Sequence, residues 1–303
     1  ITLSSARGVG FVKALVTGGG GQLAKALAET AEGHIELSIH SIESLDITSE
    51  TQVDEVMGAF RPDVVINTAA YTAVDAAESE EPKAKAVNQY GPGLLARAAE
   101  CHDARLIHVS TDFVFGGKSD RPWKTTDQTN PTSVYGRTKL EGEKSIQESM
   151  ASKWAIIRTA WLYDATSRNF VTNMIRLMKE REEISVVSDQ TGTPTRADSL
   201  AVAIWCMAES HIGGIHHWTD SGTTTWHGFA SAIEEICAEK GLLPARTTVR
   251  PIQTSEYPTP ARRPSYSVLE KTKTWAVLEG SRAMPAVHWR ENLENMITEK
   301  MCV

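Results

Sequence analysis

The sequence predicts an α/β protein: a doubly wound parallel sheet joined to a smaller, less regular C-terminal α/β region. In the first half, short β-rich runs alternate with longer helical patterns, the signature of βαβ units around a parallel sheet covered on both faces. A run of glycines, Gly18 to Gly21, falls directly between the first strand pattern and the first helix pattern. Sheets of this kind collect their ligands there, at the carboxyl ends of the strands.

The strands fall at residues 14–17, 35–39, 64–67, 106–110 and 155–159, each rich in Val, Ile and Leu or their neighbours in β preference. Between them, residues 22–31, 50–60, 81–100 and 134–150 carry helical periodicity. In the second half, residues 169–181 and 197–209 form helices, and a helix over 225–240 stops at Gly241. The stretch 257–264 contains Pro258, Pro260 and Pro264. Prolines remove backbone donors and fix φ, so this stretch is neither helix nor central strand.

At 303 residues the chain can form one large domain or two closely packed ones. A hydrophobic fraction of 41% and a charged fraction of 23% are those of an ordinary globular protein. The net charge of −7, with no basic run, argues against nucleic acid and anionic membrane as partners. The longest apolar stretch, 200–208, is too short to cross a bilayer. Arg7 and Lys13 precede no apolar core and cleavage site, so no signal peptide is read. Residues 1–10 lack an initiator Met and are assigned no function. Cys101, Cys206, Cys237 and Cys302 are scattered without a Cys-x-x-Cys pair, which argues against disulfides and structural zinc and for a reducing cytoplasm. His216 and His217 point to opposite faces of a strand and cannot share a metal; no metal site is predicted.

The glycine run reads Thr17-Gly-Gly-Gly-Gly-Gln-Leu-Ala24. Glycine lets the backbone adopt positive φ and approach a ligand closely. The helix that follows offers unpaired N–H groups and a partial positive charge to a pyrophosphate. With a strand before and a helix after, Gly18 and Gly21 belong to a dinucleotide loop whose third, helix-packing glycine is Ala24. The sheet is therefore of the Rossmann type. The simplest division is a dinucleotide-binding domain over 11–165 and a substrate-binding region over 166–303, some segments of which return to the first domain. An acid about 20 residues after the loop would bind a ribose 2′-hydroxyl, but Ser38-Ile-His-Ser41 offers neither acid nor arginine. NADPH is therefore favoured over NADH, which stays allowed. Asp46 can accept a hydrogen bond from the adenine amino group or cap the helix beginning near Glu50.

Tyr135 and Lys139 stand at i and i+4 on one helical face. A tyrosine of pKa ~10 exchanges protons poorly at neutral pH, and an adjacent ammonium pulls it toward working range. Thr111 ends the fourth strand, where its hydroxyl can donate to a carbonyl oxygen. Thr111, Tyr135 and Lys139 thus form a carbonyl polariser, a proton donor and a pKa-tuning cation.

At these motifs the chain resembles the extended short-chain dehydrogenase/reductases, and within them the reductases of dTDP-linked 4-keto-6-deoxy sugars. The likeness runs from the glycine loop through Asn67-Thr-Ala-Ala-Tyr-Thr72, Ser110–Phe115, Tyr135-Gly-Arg-Thr-Lys139, Arg158-Thr-Ala-Trp161, Asp189-Gln-Thr-Gly-Thr-Pro-Thr195 and the proline stretch. The resemblance implies that Gly21, Gln22 and Leu23 meet the cofactor pyrophosphate, Asp46 and Ile47 the adenine, and Ala69, Ala70 and Tyr71 the length of the cofactor. Lys139, beside Tyr135, would also hold the nicotinamide ribose. The sugar would meet Thr111, Asp112, Tyr135 and Trp161. Asn88 would be a substrate-side amide or bond backbone. Arg262, with Arg263, would clamp the substrate pyrophosphate or form a solvated basic pair.

The implied reaction is hydride transfer from NADPH or NADH to C4 of dTDP-4-dehydro-L-rhamnose, giving dTDP-L-rhamnose, with Tyr135 protonating the alkoxide. The implied partner is a small nucleotide-sugar, and the implied state is monomer or homodimer. Some relatives hold Mg²⁺ through an acid just after the glycine loop, which Ala24-Lys25-Ala26 does not supply. Gly116-Gly117 replaces an acid-glycine pair and predicts a more mobile loop. Phe113 after Asp112 cannot do the acid–base work of a sugar-nucleotide dehydratase. Two alternatives remain at this stage: an epimerase with tightly held NAD, and a non-catalytic dinucleotide-binding regulatory subunit.

Overall fold

The computed structural model describes residues 12–301, so the N-terminal ten residues and Cys302 lie outside it. The first half comprises β1 (Val12–Thr17), α1 (Gln22–Thr30), β2 (Ile35–His40), α2 (Glu50–Phe60), β3 (Val64–Asn67), α3 (Gly91–Cys101), β4 (Arg105–Thr111), α4 (Val134–Ser149) and β5 (Trp154–Thr159). The second half adds α5 (Phe170–Glu180), β6 (Glu183–Val187), α6 (Ala197–Glu209), β7 (Gly214–His217), α7 (Trp226–Glu239), β8 (Thr248–Ile252) and α8 (Trp289–Met301). Short two-residue strands, single helical turns and a seven-residue helix, Thr272–Leu278, connect them.

The main sheet has six strands in the order β7-β5-β4-β3-β1-β2, all paired in parallel. Alternate side chains serve opposite faces. Ala14 and Val16 pack into a core with α1 and α6, while Leu15, Val65 and Leu106 pack with α2 and α3 on the other side. The five predicted strands are all present. The sixth, β7, comes from beyond residue 165 and pairs with β5. Helix α6 returns with it, and Trp205 Nε1 donates to Leu27 O at 3.2 Å across α1. A second core surrounds the parallel pair β6–β8, where Ile184, Phe229, Ile233 and Leu293 are buried among α5, α7 and α8. No described helix is long and apolar enough to cross a membrane.

The helix predicted over 81–100 is three pieces: Glu81–Lys85, a π-helical turn Ala86–Tyr90, and α3. Pro92 lacks the N–H that would reach the Asn88 carbonyl in an unbroken α-helix. That carbonyl instead turns onto α4, where a Cβ on Gly142 would fall 2.1 Å from it. Only glycine permits the approach, and α4 is thereby seated against the π turn and the start of α3. Its start is fixed by Ser133, whose Oγ accepts from Gly136 N at 3.2 Å. Tyr135 consequently sits in the first turn, at the carboxyl ends of β4 and β5.

Candidate active site

One large cleft, about 1430 Å³, runs along the carboxyl ends of the strands. At its cofactor end, Gly18 has φ +78, and a Cβ there would fall 2.7 Å from Ala69 N. Any side chain would both strain the turn and strike β3's continuation. Gly21 begins α1 with no side-chain cap, and the first turn carries no acid. The helix therefore turns free N–H groups and its positive end toward the cleft. Ala24, in the place of the third glycine, is 1% exposed and packs in the core. Gly18, Gly21, Gln22, Leu23, Ala69 and Ala70 all line this cleft, as do Thr111, Asp112, Tyr135, Lys139 and Trp161. Gln22 Nε2 donates to Leu162 O at 3.2 Å, tying the glycine loop to the substrate side.

Five predicted residues stand elsewhere. Asn88 is fully buried; its Oδ1 accepts from Tyr71 N at 2.8 Å, and its Nδ2 donates to Tyr71 O at 3.1 Å and Thr138 Oγ1 at 3.2 Å. It is a brace between loop and α4 and cannot meet a substrate. Tyr71 itself points away from the cleft, its hydroxyl donating to Glu80 at 2.8 Å. Ile47 is a core residue against Gly91. Asp46 spends Oδ1 on Thr48 N and Oγ1, at 2.9 and 2.8 Å, and the α2 cap predicted for it belongs to Ser49. Arg262 is exposed and lines a neighbouring pocket of about 420 Å³ formed by the proline stretch. Its neighbour Arg263 faces the main cleft, with Nη2 on Asp75 Oδ2 at 2.6 Å. Arg263 also borders the smaller pocket beside Arg262, but it alone of the pair reaches the main cleft, and sequence alone did not say which would.

At the reacting centre, Thr111 Oγ1 donates to Asp112 Oδ1 at 2.9 Å. The other Asp112 oxygen is buried without a partner among the described residues. Burial pushes this carboxyl up to about 6, against the pull of the hydrogen bond from Thr111. Tyr135 is pushed up to about 12, first by burial and also by the Asp112 charge, while its hydrogen bond with Thr111 pulls it down. Its ring meets Phe113 edge-on at 5.5 Å.

Lys139 lines the cleft but makes its hydrogen bonds with β4. Its Nζ donates to Val109 O at 2.8 Å and lies 3.1 Å from His108 Nε2, so in this structure it bonds β4 rather than tuning Tyr135. Burial brings its amine down to about 8. Beneath it, Arg158 grips Glu143 through Nε at 2.9 Å and Nη2 at 2.6 Å, both side chains fully buried. His108, Asn67, Glu143 and Arg158 had no assigned roles from sequence. For Asn67, His108 and Arg158 the only signal was a polar residue inside an otherwise apolar strand; Glu143, on α4, gave none.

The outer wall comes from the second half. Trp161 adopts φ +48 and stacks on Trp226, ring centroids 3.6 Å apart. A Cβ on Gly192 would fall 2.5 Å from the Trp161 ring. The Gly116–Gly117 loop is pinned rather than loose: Gly117 O accepts from Tyr266 N and Ser265 Oγ, both at 2.9 Å. Buried His216 and His217 bond Thr274, Gly213 O and Glu270 O separately. Among the described residues, no three His, Cys, Asp or Glu side chains gather so as to hold a metal ion.

A parallel sheet with a glycine loop at its switch point and Thr, Tyr and Lys over the same cleft defines a dinucleotide-dependent oxidoreductase of the short-chain dehydrogenase/reductase type. A family model described as the RmlD substrate binding domain matches residues 12–302, and the chain belongs to this family. It is 39% identical over 289 residues to a dTDP-4-dehydrorhamnose reductase of Escherichia coli K12, covering 92% of this chain and 94% of that protein. The counterpart from Mycobacterium tuberculosis is 42% identical over 287 residues, 92% of this chain and 90% of that one. Among solved structures, a dTDP-4-dehydrorhamnose reductase from Bacillus anthracis in complex with NADP matches at TM-score 0.89 and 35% identity, over 95% of this chain and 99% of that one. A UDP-glucose 4-epimerase from Thermus thermophilus shares the fold at TM-score 0.77 and 19% identity, over 94% of this chain and 98% of that one.

Proposed function

We propose that this chain reduces the C4 ketone of dTDP-4-dehydro-L-rhamnose to dTDP-L-rhamnose with NADPH, NADH serving less well, and does so in the cytoplasm as a monomer or homodimer. The observation that carries the reading is the convergence of Thr111, Asp112, Tyr135 and Lys139 on the cleft into which the uncapped N-terminus of α1 points. The cradle at Gly18 and Gly21 fits a dinucleotide, since a Cβ at Gly18 would fill the approach to Ala69. Gly18, Gly21, Gln22 and Leu23 would hold the pyrophosphate, and Ala69 and Ala70 would line the chain of the cofactor. Ser38 Oγ and His40 Nε2, bonded at 2.9 Å, present no carboxylate to repel a 2′-phosphate. When bound, the nicotinamide supplies the hydride.

The chain's own residues do the rest. Tyr135 donates a hydrogen bond to the C4 oxygen, Thr111 joins it by turning its one hydroxyl proton from Asp112 Oδ1 to that oxygen, and a hydroxyl of the sugar satisfies the unpartnered Asp112 oxygen. A tyrosine pushed up to about 12 is fully protonated at neutral pH, so it is a donor and not a base. An alkoxide is a stronger base than tyrosinate, and proton transfer to it runs downhill. Trp161 covers the sugar face, and Arg263 is placed for the substrate diphosphate.

The test is NADPH oxidation by the purified protein with dTDP-4-dehydrorhamnose, repeated with NADH and with EDTA. Turnover that prefers NADPH and survives EDTA is expected. Absence of oxidation, with stoichiometric NAD retained through purification, would instead support the epimerase reading.

A further inference from the structure

Thr17, Asn67 and His108 are direct cross-strand neighbours on β1, β3 and β4. Each is fully buried, and together they form one hydrogen-bonded row ending at Lys139. Thr17 Oγ1 bonds Asn67 Oδ1 at 2.7 Å, Asn67 Nδ2 meets His108 Nδ1 at 3.0 Å, and His108 Nε2 meets Lys139 Nζ at 3.1 Å. The row has one fixed direction, because Ala69 N also donates to Asn67 Oδ1, at 3.1 Å. A backbone N–H can only donate, so Oδ1 faces Ala69 and the amide nitrogen must face His108. His108 Nδ1 is then the acceptor. The neutral ring consequently carries its proton on Nε2, and an N–H there needs an acceptor. An ammonium has no lone pair, whereas a neutral amine has one.

We propose that His108 holds Lys139 as the neutral amine in the cofactor-free protein, and that dinucleotide binding makes Lys139 leave His108 and take up one proton from solvent. His108 is thus a positioning residue that sets the charge of the catalytic lysine. The inference rests on the dinucleotide reading of the cleft.

The surroundings agree. Burial holds His108 neutral, well below its ordinary value, and lowers the Lys139 amine to about 8, so the neutral pair is the main form above that pH. On α4 itself Lys139 is flanked by Tyr135 and by Glu143, the carboxylate that favours the ammonium. From β5, Arg158 already neutralises Glu143; Asp112, beyond β4, bonds Thr111. Glu143, the carboxylate that favours an ammonium at Lys139, is therefore already paired before an anionic ligand arrives with ribose hydroxyls as acceptors. Ketone reduction by NADPH consumes one proton. After Tyr135 protonates the alkoxide, the Lys139 ammonium can return that proton to tyrosinate, and the neutral amine can rejoin His108. The lysine would load this proton at binding and spend it once per turnover.

Two readouts test this independently of turnover. Calorimetry of NADPH binding at about pH 9, in buffers of different ionisation heat, should show uptake approaching one proton. His108→Gln offers Lys139 a carbonyl oxygen, and Asn67→Asp turns the ring so that Nε2 accepts. Both should abolish most of the uptake and move the basic limb of kcat/KM upward by about one pH unit. Nitrogen NMR of the cofactor-free protein should find His108 protonated on Nε2 and bare on Nδ1. Equal uptake in the wild type and both variants, absent uptake in the wild type, or an Nδ1–H tautomer would each overturn the proposal. If NADPH does not bind at all, the dinucleotide reading fails, and the tautomer measurement still decides the pairing of His108 with Lys139.

Discussion

The floor of the cleft is made of residues that neighbour one another in register or within a helical turn, whereas its outer wall joins segments distant in the chain. Thr17, Asn67, His108, Lys139 and the Glu143–Arg158 pair interlock through buried hydrogen bonds. Trp161 is held instead by Gly192 and Trp226, and Arg263 by Asp75. The floor is over-determined and suited to chemistry that must not move. The wall rests on a few ring and ion-pair contacts and is suited to deciding which sugar enters.

Variants can break that contrast. The largest effect should come from Tyr135→Phe, which removes the proton donor and lowers kcat by about 10²–10⁴-fold, leaving NADPH affinity within about twofold by titration. A kcat near wild type would remove Tyr135 from the chemistry. Next is Glu143→Ala, which strands the buried Arg158 charge and should cost about 3–5 kcal/mol in denaturant unfolding. A loss below about 1 kcal/mol would mean the floor tolerates that charge.

Wall variants should behave differently. Trp161→Ala is expected to raise substrate KM by about tenfold or more while the protein stays as stable as wild type within about 1 kcal/mol. Gly192→Ala should do the same to a smaller degree by pushing the indole aside. A fall in kcat with KM unchanged would place Trp161 in the chemistry instead.

The smallest effect sharpens the border between the two regions. Asp112 is raised from 3.8 to about 6, so the fold favours its neutral form. That stabilisation is present below about pH 4 and is lost as pH rises through about 6. Asp112→Asn, which cannot ionise, should therefore raise the melting temperature by a few degrees at pH 7.5 and not at pH 4, while weakening substrate binding. An equal shift at both pH values would mean ionisation is not the cause.

The same contrast explains what the sequence revealed. The five strands, the glycine loop and the Tyr135–Lys139 spacing were legible because each is written in consecutive residues. The place of β7 in the same sheet was not, since Gly-Ile-His-His has no alternation and owes its position to pairing with β5. The π turn at Asn88 required knowing that Gly142 lay opposite. Lys139 was expected to act on Tyr135 from spacing alone, but spacing cannot show that His108 and Val109, across the strand, are its nearer partners. Arg262 and Arg263 were indistinguishable until the proline stretch took its direction.

The most direct test of the central claim is to supply dTDP-4-dehydrorhamnose with NADPH deuterated at the transferred position and to examine the sugar by NMR. The account predicts dTDP-L-rhamnose carrying deuterium at C4, with NADP released in equal amount. Product without label at C4, or recovered NADPH with no sugar reduced, would contradict it.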